Sequence, residues 1–237
     1  MLLVFRNCAA WRAHGAALLL FLPGLFFLET RATGAEPRRR ESPEFIAAVE
    51  AALAAYGRKD YAVAMQKLDE ADRITPHSSV AANLRGAVHL ERGEWDEAAK
   101  FFREATRINP RYFPPQFNFI NISYRQKDYA EARAQLEALR KEWPNEEIIP
   151  YKIFLTLLLE KNENAATAQL EKLKFPGETP AYYYAHAAWE FAHGRAGEGA
   201  DWLKASRWIF KPELNAIFDE SLYEVDLLRR PASKQAE

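Results

Sequence analysis

The chain has 237 residues, 49% hydrophobic and 27% charged, with 32 basic side chains against 33 acidic ones for a net charge of −1. That balance excludes the strong basic field of a nucleic-acid binder, and the composition is that of an ordinary folded chain. The only cysteine, Cys8, lies in the N-terminal leader, so the rest of the chain has no disulfide and no thiolate metal site.

Residues 1–35 read as a signal peptide. Arg6 and Arg12 give it a basic start, and the apolar run from Gly15 to Leu28 is 14 residues long. A bilayer span needs roughly 20 helical residues. Thr33-Gly34-Ala35 offers small residues for a cut after Ala35. The chain is therefore expected to be exported, periplasmic or secreted. The alternative is an uncleaved leader that anchors it in a membrane. Residues 36–43 are polar and proline-bounded, a linker.

From Ser42 onward apolar residues recur at threes and fours, and period-two alternation is missing, so helices and no strands are expected. Ser42 should cap the first helix, with Pro43 in its first turn. Helices are expected in pairs: 44–57 with 60–73, 79–92 with 95–108, 113–126 with 129–142, 147–161 with 163–173, and 181–194 with 197–210. Polar turns (GRKD, ERGE, RQKD, EKNE and GRAG) join the members of each pair. The pairs share a phase. Ala64, Ala98, Ala132, Ala166 and Ala200 stand 34 residues apart. Tyr61, Trp95 and Tyr129 keep the same step, as do Leu68, Phe102, Leu136 and Leu170. Pro76, Pro110, Pro144 and Pro212 form a further ladder with Glu178 in its one gap. Several ladders in one phase mark a repeat array, which grows by stacking and has no single centre.

These residues resemble the tetratricopeptide repeat family, a 34-residue helix–turn–helix with a small residue in the first helix, an aromatic and an alanine in the second, and a closing proline. The unit from Ser79 to Tyr112 matches at Gly86, Trp95, Ala98, Phe102, Ala105 and Pro110. The unit before it matches at Ala52, Tyr61, Ala64, Leu68, Ala71 and Pro76. The third unit has Ile120 and Leu139 where small residues are usual. The fourth has Glu163 for the aromatic. The fifth has Gly197, Lys204 and Arg207 at positions usually apolar or small. The resemblance implies an all-α, right-handed α-solenoid of five repeats over residues 44–212. A capping helix over 213–229 should follow, then a flexible tail over 230–237.

In this family the non-core face of the first helices lines a concave groove for extended peptides or partner helices. Carried over residue by residue, the resemblance gives as partner-binding residues Asn83, Phe117, Asn121, Tyr124, Tyr151, Leu155, Tyr182 and Trp189. The same rings could instead pack between neighbouring first helices or under the C-terminal helix. A family variant grips C-terminal carboxylates with Lys, Asn and Arg. Here Asn83, Asn121, Asn118 and Lys152 are present, but the basic residues that would complete such a clamp are missing from the ladders. The implied function is a non-catalytic scaffold or adaptor for a protein or peptide partner. It would bind no nucleic acid, need no cofactor, and meet a membrane only if the leader stays uncleaved, as in an envelope-assembly component. No GxSxG, HExxH or phosphate-binding glycine loop is present. His186, Glu190 and His193 share a helix face and form the one metal-binding or enzymatic alternative. Polar side chains on a half-exposed helix explain that spacing without a metal, and spacing alone is a weak signal.

Overall fold

The computed structural model describes residues 41–229, so the leader, most of the linker and the tail lie outside the described residues. The described residues divide at Arg111 into two compact units.

Residues 41–110 hold α1 (Pro43–Gly57), α2 (Tyr61–Ile74), α3 (Ser79–Glu91) and α4 (Trp95–Ile108). Ser42 caps α1 as its sequence position predicts, accepting from the Phe45 N–H at 3.2 Å. Each pair packs through the ladder residues: Ala64, Leu68, Ala98 and Phe102 are fully buried. Gly86 is small for a direct reason. A Cβ built on it would stand 2.6 Å from the Phe102 ring. Arg85 on α3 ties consecutive pairs together, reaching Asp69 and Asp72 on α2 at 2.7 Å each.

Residues 111–229 hold α5 (Phe113–Arg125), α6 (Tyr129–Glu142), α7 (Ile148–Leu159), α8 (Glu163–Leu170), α9 (Ala181–Ala192), α10 (Ala196–Ile209) and α11 (Pro212–Tyr223). Ala132, Leu136, Ala166 and Leu170 are buried in the ladder positions. Helix α8 stops three residues short of its expected end, yet Leu173 beyond it is still buried. The gap in the proline ladder has a physical reason. The Glu178 N–H donates to the Glu147 carboxylate at 3.0 Å, and the Thr179 N–H donates to the same group at 2.9 Å. A proline at 178 would have no N–H to give.

The turn inside each pair is one recurring device. A residue in the left-handed region appears at Lys59 (φ 62°), Gly93 (72°), Lys127 (62°) and Lys161 (57°). The next N–H reaches back five residues to a helix carbonyl each time: Asp60 to Ala55, Glu94 to His89, Asp128 to Ser123 and Asn162 to Leu157. This is a Schellman closure of the first helix. Asp60, Asp128 and Asn162 then cap the second helix from the adjoining position.

The fifth pair departs from the even step. Its left-handed residue is Gly194 (φ 75°), and the return bond runs from Arg195 to Glu190, both one residue early. Helix α10 accordingly buries Gly199, Leu203 and Ser206, while Ala200, Lys204 and Arg207 are exposed. The expected place of Ala200 in the ladder is thus corrected. One residue is missing from the turn, Gly199 takes the packing position, and a Cβ on it would stand 2.5 Å from the Phe191 ring. Pro212 is corrected as well: it sits in the first turn of α11 instead of closing α10.

Candidate functional site

Helix α11 does not simply stack beside α9 as the next first helix. Its Phe218 ring lies 5.1 Å from Tyr151 on α7 and 5.4 Å from Tyr184 on α9. The Tyr151 and Ser221 hydroxyls are hydrogen-bonded at 2.7 Å, and the Tyr184 hydroxyl donates to Asp219 at 2.7 Å. Just past the helix, the Glu224 carboxylate accepts from Lys152 on α7 at 3.3 Å and from Arg125 at the end of α5 at 3.2 Å. One short helix and the residue after it thus reach three successive first helices. A segment can do this only by crossing the face those helices share. The short link allows it: Phe210 and Lys211 alone join α10 to α11, where residues 143–147 join α6 to α7.

The electrostatics of this crossing are specific. The Lys152 side chain is 5% exposed and its ammonium stands 4.0 Å from the Tyr124 ring centroid. Burial pushes the Lys152 ammonium below its usual range, and Glu224 opposes that push. For Glu224, burial raises the carboxyl, but nearby positive charge, led by Lys152 and including Arg125, outweighs it and holds the group well below the usual carboxylate range. Burial also raises the Tyr124 and Tyr151 phenols. The Tyr124 hydroxyl is buried with no hydrogen-bond partner among the described residues.

The expected binding residues fall into three groups. In residues 41–110, Asn83 is fully buried on α3. In residues 111–229, Phe117, Asn121, Tyr124, Tyr151 and Leu155 are buried on α5 and α7. Tyr124 and Tyr151 meet at the crossing: one lies under Lys152, the other under Phe218. Tyr182 and Trp189 are half-buried and directed elsewhere. Tyr182 packs with Phe175, Tyr183, His186 and Trp202, and Trp189 packs on His193. The ladders are therefore not an open apolar strip. Arg125, Tyr184, Ser221 and Glu224 belong to the site but were not among the residues expected to bind a partner. Their one sequence signal was the phase of Phe218 and Leu222, which follow Tyr184 and Ala188 by 34 residues.

The structure does not bring His186, Glu190 and His193 into one ligand set. His186 stacks on Trp202 at 4.5 Å, Glu190 pairs with Arg195, and His193 bonds the Trp189 carbonyl at 2.7 Å and Glu163 at 3.1 Å. Among the described residues no group of three or more His, Cys, Asp or Glu side chains is placed to hold a metal ion. No helix among them is long and apolar enough to cross a membrane.

Paired helices repeating at a fixed step, with a further helix laid across their first members, define an all-α helical-repeat protein. Residues 89–158 match the family model described as tetratricopeptide repeat, so the chain carries that repeat over this stretch. No curated protein matches it. Its fold is similar to that of a tetratricopeptide repeat protein from Parabacteroides merdae (15% identity, TM-score 0.59, 73% of this chain and 69% of that one). It is also similar to a thermophilic TPR protein from Thermus thermophilus (17% identity, TM-score 0.56, 75% and 98%). Pseudomonas aeruginosa pilF is a third (19% identity, TM-score 0.52, 77% and 84%). The chain spans 27% of the length of an O-GlcNAc transferase from Thermobaculum terrenum that it matches at a TM-score of 0.45.

Proposed function

We propose that this chain is a non-catalytic scaffold that holds a helix or extended segment of a partner protein on the shared face of its first helices. One observation carries the reading: within residues 111–229 that face already holds a helix, α11, by apolar, hydroxyl and charged contacts at once. Helical-repeat proteins offer extended surfaces of this kind for other chains. Tyr124 and Tyr151 are the anchors of the proposal, since large rings give the most contact area for little ordering cost. Phe117 stands one step before Tyr151 on its ladder, and Asn121 and Leu155 stand on the ladder of Trp189; in residues 41–110 Asn83 holds the position of Phe117. Tyr182 belongs to a separate ring cluster, and Trp189 packs on His193. Replacing both Tyr124 and Tyr151 by Ala should abolish capture of the native partner. Undiminished capture by a variant with an intact helical spectrum would refute the reading.

The leader makes export the accompanying proposal, with a periplasmic or secreted scaffold if it is cut and a membrane-tethered envelope component if it is kept. N-terminal sequencing of the protein from its native host decides between them. A start at Glu36 supports cleavage, and a start at the leader supports tethering.

A further inference from the structure

We infer that α11 is an internal ligand. The shared face of α5, α7 and α9 is built for an amphipathic helix whose apolar stripe is followed by a carboxylate, and α11 occupies it until a partner helix of that chemistry displaces it. The inference rests on the scaffold reading and specifies the partner that reading leaves open.

The contacts exceed what an end cap requires. A terminal helix of a repeat array has only to cover the apolar surface of the last pair. Phe218, Ser221 and Leu222, at helical spacing, are buried and do that. The rest of the segment reaches further back. Glu224 answers cations on α7 and α5, one and two helix pairs upstream, and no covering of α9 and α10 calls for that. Lys152 is nearly enclosed, and a buried ammonium is costly unless a carboxylate meets it. The carboxylate it meets at 3.3 Å belongs to the α11 segment, not to the helix pairs. Tyr124, 4.0 Å under the same ammonium, keeps a buried hydroxyl without a partner among the described residues, so the face can engage one more acceptor than α11 supplies. The pattern a partner must present is the one α11 displays: an aromatic, a small hydroxyl three residues on, an aliphatic one further, and a carboxylate two beyond that.

The two-residue tether gives α11 a high local concentration, so an external helix competes only when α11 opens. The apparent affinity for that helix scales with the open fraction. The probe is a fluorescent peptide with the sequence of residues 211–229, added to the full chain. Phe218→Ala in the chain weakens the internal helix and leaves the peptide intact, so it should tighten peptide binding about tenfold or more. Adding Lys152→Gln to that variant should reverse the gain. In the unaltered chain, excess peptide should speed amide hydrogen exchange across α11 while α7 and α9 stay protected. A folded Phe218→Ala chain with no gain, or a gain that survives Lys152→Gln, overturns the inference. If Phe218→Ala does not fold, the exchange measurement decides alone, and α11 protection unmoved by peptide refutes displacement. Partner capture that depends on Tyr124 and Tyr151 while α11 stays unmoved would keep the scaffold and remove only the internal ligand.

Discussion

Gly86 and Phe102 show how a single residue sets the spacing of a pair. The ring occupies the volume a side chain at 86 would need, so the two helices close over it with their backbones near. Gly86→Ala should cost about 1–3 kcal/mol by overpacking, read as a lower midpoint in chemical denaturation. Elsewhere the same position holds Ala52, Ile120, Phe154 and Ala188, all buried, so the size of this residue is set pair by pair. The alanine ladder was legible in the sequence because steric necessity keeps one residue type at the buried positions of Ala64, Ala98, Ala132 and Ala166. It left Lys152 and Glu224 illegible as partners. They are 72 positions apart, and a charge pair carries no period.

At the scale of the element, the helices follow from local rules that the sequence displays openly. Ser42, Asp60, Asp128 and Asn162 cap, and the left-handed turn residue recurs at a fixed place even where it is lysine. The expected helix ranges agree with the structure to within a few residues for this reason. Helix α10 is the instructive exception. Counting by 34 assigns Ala200, Lys204 and Arg207 to its inner face, but a one-residue deficit before it turns every side chain by about 100°. The clue was present in those two charged residues at apolar positions, with Gly199, Leu203 and Ser206 one step earlier. Leu203→Ala should therefore cost about 2–5 kcal/mol. Lys204→Ala should stay within about 0.5 kcal/mol of the unaltered chain. Thermal melts of both variants check the register, and equal losses would contradict it.

At the scale of the whole molecule, the charge linkage between α11 and the first helices makes a pH prediction. The folded-state Glu224 carboxyl is depressed, so its contribution is complete above the ordinary carboxylate value and drains away as pH falls through the folded one. Amide protection of α11 should thus decline below about pH 4. Glu224→Gln should lower that protection at neutral pH and flatten its acid dependence, which hydrogen exchange measures directly. The array was written in the chain: helix pairs, turns and ladders follow from apolar and small residues that recur over successive units, up to the one-residue slip before α10. What lies on the shared face in residues 111–229 was settled by packing across the fold. That outcome depends on a two-residue link and on contacts between side chains as far as 99 positions apart, where no local periodicity operates.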